Sequence, residues 1–365
     1  MLVAVLATVF TVTLAVHLLS TALAWPRAAR ERGPDAPARP PVSLVRPVCG
    51  LDVFDAETLA SSFGQDYPDH EILFCAASAN DPAVALLEKL IADHPEAQAR
   101  ILIGDDRISA NPKLNNLVKG FAAARGDWVA MTDANLLLTP DYLSRLDATR
   151  RADTGLVSSP PAGIRPGNFW GALECAFLNS NQARWQLAAD ALGIGFAHGK
   201  TLFWNRDLLS AGGGLEALAR DLAEDVASTK LVRGQGKKVR LARTLFGQPI
   251  GKRDFDEVWG RQLRWSRIRR AGFPAIFGLE ILQGPLPPLL ALAALVGHGT
   301  VPGPALAAFA VLWYGVELAL ARAHGWPAAP RDIAAMLLRD ALLPALWIVT
   351  WRRRGFTWRG SVVGA

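Results

Sequence analysis

Apolar positions divide this chain into three parts: a long apolar block at each end and, between them, a stretch in which short apolar runs alternate with amphipathic ones. Residues 2–25 carry no charge and a single histidine, His17. At about 1.5 Å per residue a helix of that length crosses a hydrocarbon layer of about 30 Å. A cleaved signal peptide is the other reading, since Ala22-Leu23-Ala24 resembles a cleavage site. Against it, the start has no positive charge and the run exceeds the usual span of about 7 to 15 apolar residues. Arg27, Arg30 and Arg32 follow at once and, by the positive-inside rule, hold the next segment in the cytoplasm, so an integral protein of a bacterial inner membrane is expected. Beyond Phe273, apolar stretches recur at 273–296, 301–321 and 333–351, with Pro285, Pro287 and Pro288 interrupting the first, which either crosses or lies in the interface. The basic tail, 352–365, holds Arg352, Arg353, Arg354 and Arg359, while Arg322 and Arg331 sit in a loop that competes for the same side. The charge rule therefore leaves the side of the tail open.

A Pro-rich polar connector closes the linker 26–41, and a cytoplasmic body is expected over 42–272. Buried strands are predicted at 42–48, 71–76, 100–103 and 128–132, with helices at 56–63, 82–94 and 112–125 between them. Such alternation implies an α/β fold with a parallel sheet and helices on both faces. Ligands on these sheets bind beyond the carboxyl ends of the strands. Residues 160–195 combine Phe169, Trp170, Phe177 and Trp185 with Arg165, Glu174, Arg184 and Asp190. That is too polar to span a bilayer, and two readings fit: an amphipathic insertion near the membrane plane, or a buried helix.

Composition narrows the partners. The net charge of +6 and pI of about 9.5 would suit nucleic acid, but the basic residues sit beside apolar segments, as Arg267, Arg269 and Arg270 do. They lack interleaved aromatics on a soluble face, so an anionic membrane surface is expected and nucleic acid is not. Cys49, Cys75 and Cys175 lie far apart, outside any metal-type spacing, as reduced thiols of a cytosolic body would.

Candidate chemistry clusters just after the strands. Val129-Ala130-Met131-Thr132-Asp133-Ala134-Asn135 reads as a buried strand ending in a carboxylate, with a second oxygen donor two positions on and on the same side. Asp133 and Asn135 suit a hard divalent cation with phosphate oxygens, although Asp at a strand end also forms turns. Asn111-Pro112-Lys113-Leu114-Asn115-Asn116-Leu117 is either a capped surface helix or a helix start presenting N–H groups and Lys113 to an anion. Asp81, ahead of Pro82, either caps a helix or contacts a nucleotide. Glu224-Asp225 at a helix start is a dipole partner or a proton acceptor. Arg261, Arg264 and Trp265, at i, i+3 and i+4, share one helical face, either against lipid or clamped on an anion.

In order, Asp81, Asp133, Asp225 and Arg261-Gln262-Leu263-Arg264-Trp265 resemble the D, D, D, (Q/R)xxRW signature of lipid-directed glycosyltransferases. Pro47-Val48-Cys49-Gly50-Leu51-Asp52, Asn80-Asp81-Pro82-Ala83, the Asn111 to Leu117 string and Ala223-Glu224-Asp225 are similar to ceramide glucosyltransferases. The resemblance implies a GT-A fold, a Rossmann-like mixed sheet that binds nucleotide-diphospho-sugars. It implies UDP-glucose as donor and ceramide as lipid acceptor, Asp81, Lys113 and Asp133 on the nucleotide sugar, and Mn2+ or Mg2+ at Asp133 and Asn135. It further implies Asp225 as base, Arg261, Arg264 and Trp265 on the pyrophosphate, and Gln182 and Arg184 on the acceptor side. The family has a His within the stretch 179–184 and commonly a Tyr after the third Asp, where this chain offers Gln182 and Val226. A hopanoid or other lipid with UDP-GlcNAc, or a non-catalytic membrane subunit, are the alternatives.

Overall fold

The computed structural model describes residues 1–28, 39–352, 356–358 and 361–363. Arg30, Arg32, most of the connector and, in the tail, Arg353, Arg354 and Arg359 lie outside the described residues. The chain forms two compact units, one of residues 27–162, 192–249 and 355–365, the other of residues 1–26, 163–191 and 250–354. Of the residues 42–272, 42–162 and 192–249 fall in the first unit and 163–191 and 250–272 in the second. Residues 163–191 and 250–272 carry apolar and charged side chains that pack with the terminal helices.

The first unit holds a seven-stranded sheet. Its strands are β1 (Val42–Pro47), β2 (His70–Ala76), β3 (Ala99–Ile103), β4 (Trp128–Thr132), β5 (Thr154–Ser158), β6 (Thr201–Asn205) and β7 (Lys238–Leu241), in spatial order β3-β2-β1-β4-β6-β5-β7. β1 runs parallel to β2 and to β4, with Val42 beside His70 and Trp128. β6 is antiparallel to both β4 and β5, which makes the sheet mixed. The register of β4 and β6 sets Thr132 opposite Thr201, so the residues just before β6 lie beside those just after β4.

Both faces are covered, which is why β1, β4 and β5 are buried at every position. Alternate residues point to opposite sides: Leu44, Phe74, Ala130 and Phe203 pack with Leu87 and Tyr142, while Val45, Leu73, Met131 and Trp204 pack with Leu114 and Leu117. Asp81 and Asn111 cap the helices Pro82–Asp93 and Pro112–Ala123, each with Pro in the first turn. The second helix lies flush on the sheet at Gly120, where a Cβ would come within 2.4 Å of Val45 Cγ1 and 2.7 Å of Cys75 Sγ.

Among the described residues, the second unit contains four stretches long and apolar enough to cross a membrane: Leu2–Leu23, Pro274–Gly297, Ala305–Ala323 and Pro330–Arg352. The prolines do interrupt one of them, which is built as Pro274–Leu279, a 3-10 turn at Glu280–Leu282 and Leu286–Gly297 starting after Pro285. The segment Phe169–Ala191 is helical throughout, with a wide π turn at Phe177–Ala183. Its residues 171–181 are buried without a break, while Leu192 and Ile194 beyond it are exposed.

A closed network of charges ties these helices together. Arg339 donates to Glu317 at 2.9 and 3.2 Å, to Asp340 at 2.9 Å, and to Ser180. Arg184 donates to the Ser180 carbonyl at 2.8 Å, to Ser20 Oγ at 2.7 Å and to His17 Nδ1 at 3.1 Å. His17, stacked on Trp313 with centroids 3.6 Å apart, uses its other nitrogen, Nε2, on the Trp313 carbonyl at 3.1 Å. Arg184 is 1% exposed, and these bonds pack its Nε and Nη1 against the first apolar helix and the π turn.

Candidate functional site

Four predicted residues of the α/β unit meet at the carboxyl ends of the strands. β4 ends at Thr132, and the loop after it is shaped by Arg46, a fully buried arginine of β1. One Arg46 nitrogen donates to the carbonyls of Asp133, Ala134 and Leu136 at 2.8–2.9 Å. That fixes the direction in which Asp133 and Asn135 project.

The Asp133 carboxylate lies between two ammonium groups, Lys113 at 2.7 Å on Oδ1 and Lys200 at 2.8 Å on Oδ2. Lys113, one residue inside the helix capped by Asn111, also meets Glu224 Oε1 at 2.7 Å and donates to the Gly199 carbonyl. Glu224 Oε2 accepts from Asn111 Nδ2 at 2.7 Å. Asp225 accepts from the Gly199 N–H at 3.0 Å and from its neighbour Val226 N–H at 2.8 Å. Gly199 is the hub: a Cβ there would lie 3.0 Å from Glu224 Oε1, 3.5 Å from Lys113 Nζ and 3.6 Å from Asp225 Oδ2. The absence of a side chain lets its backbone approach all three.

Electrostatics separate the two key carboxyls. Burial pushes Asp133 up, but the Lys113 and Lys200 ammoniums outweigh it and hold the group well below the usual carboxylate range. Burial also pushes Lys113 down, and Asp133 and Glu224 more than restore it, so it stays protonated. Asp225 goes the other way. Burial, then the charge of Glu224, raise it to about 6 against the opposing pull of Lys113. His198, next to this group, is pushed down to about 3 by burial and by Lys200, and is therefore neutral near pH 7.

Asp133 Oδ2 and Asn135 Oδ1 both lie within hydrogen-bond distance of the Lys200 ammonium, at 2.8 and 2.9 Å. Two hard oxygens thus converge on one positive charge, the donor type that Mn2+ or Mg2+ prefers. Among the described residues no three of His, Cys, Asp or Glu gather as a metal centre, so a cation here would need phosphate oxygens to complete its shell.

Asp81 caps the helix Pro82–Asp93 through Ala83 N–H at 2.9 Å and also takes the Gly50 N–H at 3.0 Å. It thereby braces the loop after β1, which Asn116 holds from the other side through the Val48 carbonyl at 3.1 Å. The capping role is present, and it builds the rim of the same sheet edge.

Arg261, Arg264, Trp265, Gln182 and Arg184 belong to the helical unit. The helix Phe255–Gly272 starts at a capping box of Asp254 and Glu257. Arg261 is paired with Glu174, a fully buried carboxylate, and Trp265 packs on Cys175, Leu178 and Ile250. The expected shared face of Arg261 and Trp265 is therefore the one turned to the helix Phe169–Ala176. Gln182 Nε2 donates to Gln262 Oε1 at 2.9 Å.

Sequence reading missed Arg46, His198, Gly199 and Lys200. Arg46 was visible as a lone charge inside an apolar strand. The other three lie directly ahead of the strand that opens Thr201-Leu202-Phe203-Trp204, the same arrangement, mirrored, that marked Asp133.

The family model described as glycosyl transferase family 21 matches residues 2–364. Ceramide glucosyltransferase 1 of Caenorhabditis elegans is 29% identical over 271 residues, which cover 73% of this chain and 58% of the relative. The ceramide glucosyltransferase of Komagataella phaffii is 35% identical over 287 residues, 63% of this chain and 56% of the relative. The chain thus spans somewhat over half the length of these two relatives. Among solved structures, the mannosyltransferase PcManGT from Pyrobaculum calidifontis, in complex with GDP-Man and Mn2+, superimposes with a TM-score of 0.57 at 18% identity, covering 97% of this chain and 99% of that one. At that identity the likeness concerns the fold, and the fold is GT-A.

Proposed function

The chain belongs to glycosyl transferase family 21, and from that premise we propose that it is an inverting hexosyltransferase that moves glucose from UDP-glucose to the primary hydroxyl of ceramide. The observation that carries the reading is the pairing of a carboxyl poised near neutrality, Asp225, with the ammonium groups of Lys113 and Lys200 around Asp133. Transfer away from a diphosphate needs both. A base near the working pH takes the acceptor proton most effectively, and fixed cations stabilise the departing charge.

In this reaction the acceptor oxygen attacks the anomeric carbon, the bond from that carbon to the β-phosphate oxygen breaks, and UDP departs with the electron pair. The acceptor proton passes to Asp225. One in-line attack inverts the configuration, so no covalent nucleophile is required. Lys113 and Lys200 exchange their carboxylate partners for diphosphate oxygens when donor binds, and Asp81 supports the nucleotide side through the loop it braces. Arg261, Arg264 and Trp265 are assigned to the leaving diphosphate. Asp133 and Asn135 would hold Mn2+ or Mg2+, which would screen the diphosphate charge. The GDP-Man and Mn2+ of the PcManGT complex support this class of site. The four apolar helices and Arg27 support a membrane-embedded protein whose α/β unit faces the cytoplasm.

The test is mass spectrometry of the lipid product formed when the purified full chain is given ceramide and mixed UDP-sugars. Glucosylceramide and stoichiometric UDP are expected. Another sugar or lipid in the product would replace the substrate assignment, and no UDP release with any acceptor would sink the enzyme reading.

A further inference from the structure

The ammonium of Lys200 lies 2.8 Å from Asp133 Oδ2 and 2.9 Å from Asn135 Oδ1, the same oxygen pair that would hold Mn2+ or Mg2+. We propose that Lys200 is a built-in competitor of the divalent cation. Its ammonium holds the pair while no donor is bound and leaves it for the donor's diphosphate, so that metal and nucleotide sugar enter together. The inference rests on reading Asp133 and Asn135 as metal donors, and it adds a residue outside the D, D, D, (Q/R)xxRW string that sets when they are open.

The competition follows from shared lone pairs. A hard dication binds carboxylate and amide oxygens through the lone pairs that an ammonium also uses, and two positive groups on one oxygen pair repel. Occupancy by Lys200 therefore opposes occupancy by a metal. The Asp133 side chain is still 21% exposed, so an ion can reach it.

Charge balance favours joint entry. Lys113 pairs with Asp133 and Glu224, and Lys200 pairs with Asp133, at 2.7–2.8 Å, so ammoniums and carboxylates in this cluster offset one another. A dication arriving alone finds these counter-charges in use, whereas one arriving with a diphosphate brings its own.

The backbone of Lys200 is pinned while its ammonium sits on a long stem. Its carbonyl accepts from Asp133 N–H at 3.2 Å, its N–H donates to His198 Nδ1 at 3.3 Å, and His198 N–H donates to Ser158 Oγ at 2.9 Å. The flexible stem lets the charge trade one oxygen for another without moving the strand. Lys113 is anchored by Glu224 and the Gly199 carbonyl as well as by Asp133, so of the two ammoniums Lys200 is the one that yields.

The test follows free Mn2+ by its electron paramagnetic resonance signal as MnCl2 is added to the purified full chain, with and without UDP. In the parent chain UDP should tighten Mn2+ binding by about 10- to 100-fold. Lys200→Met should bind Mn2+ alone roughly tenfold more tightly than the parent, and the tightening by UDP should shrink by the same factor. Lys200→Gln, shorter and also neutral, should behave in the same way and takes the place of the methionine variant if thermal unfolding shows that one to be destabilised. Adding Asn135→Ala to either variant should return Mn2+ affinity to near the parent value, which ties the gain to this oxygen pair.

An unchanged Mn2+ affinity in both neutral variants, or a gain that survives Asn135→Ala, would overturn the proposal. The two readings fail separately. Mn2+ bound with UDP but indifferent to Lys200 would keep the metal site and reject the competitor, whereas no Mn2+ bound with UDP in any of these chains would reject Asp133 and Asn135 as metal donors and the proposal with them.

Discussion

Each unit of this molecule encloses a cluster of opposed charges, and the two clusters are built differently. In the α/β unit the cations are lysines, Lys113 and Lys200, with side chains 12% exposed around Asp133 at 21%. In the helical unit the cation holding two acids is Arg339, and it, Glu317 and Asp340 are 1–3% exposed. An ammonium is a compact charge on a flexible stem and can trade one oxygen for another, while a guanidinium binds several partners in a fixed fork. The open lysine cluster is suited to exchanging a carboxylate for an arriving diphosphate. The closed arginine cluster is suited to fixing which helices pack together, and apolar segments tolerate such charges only when paired.

The sharpest way to break this contrast is Arg339→Leu. It strands two carboxylates in the interior, and removing one partner of a buried pair costs about 3–5 kcal/mol. Thermal unfolding in detergent should show that loss, and UDP binding by whatever protein remains folded should be near normal. Converting Glu317 and Asp340 to leucine in the same chain should recover most of the stability, because well-packed apolar groups often replace a buried ion cluster at little cost. A stable Arg339→Leu protein that has lost UDP binding would reverse the roles assigned to the two clusters.

Next in size is Asp225→Asn, which keeps the shape of the site and removes the proposed proton acceptor. Turnover should fall by roughly 10²-fold or more, with UDP affinity retained in calorimetry. Near-normal turnover would remove Asp225 from the mechanism. Lys113→Met is expected to act on the other side of the exchange, weakening UDP-glucose binding by about 10- to 100-fold through the loss of charged hydrogen bonds. An unchanged affinity would mean that Lys113 only props up Asp133 and Glu224.

How much of this was legible in the sequence follows from how far apart the contributing residues are. The strands at β1, β2 and β4, and the helices starting at Pro82 and Pro112, were predicted to within a few residues at either end, because apolar runs and capping Asp or Asn ahead of Pro are local signals. Asp133 was found for the same reason. Lys200 was not, since it reaches Asp133 only through the antiparallel pairing of β6 with β4, which sets Asp133 N–H on the Lys200 carbonyl at 3.2 Å. The alternation of strands and helices predicted parallel neighbours and gave no sign of that reversal. The partners of Arg184 were hidden by the same kind of distance. A charge in an aromatic stretch looked available, and its partners His17 and Ser20 lie more than 160 residues away in the first apolar helix.

The finest test of the contrast is the pH profile. Asp225 must be ionised to accept a proton, and burial with the neighbouring Glu224 charge raises it to about 6 while Lys113 opposes them. Turnover under donor saturation should therefore be full above that value and fall as pH drops through it. Glu224→Gln removes the like charge and should move this acid limb to lower pH. It also frees Lys113 from one of its two carboxylates, which favours the ionised form of Asp225 further, so both consequences have the same sign. The arginine cluster offers a control for that profile, because Glu317→Gln alters a charge in the unit that does not contain Asp225. Its limb should coincide with that of the parent chain. A limb that moves equally in both variants would mean that the pH dependence reports the packing of the fold, and the poise of Asp225 would lose its role in catalysis.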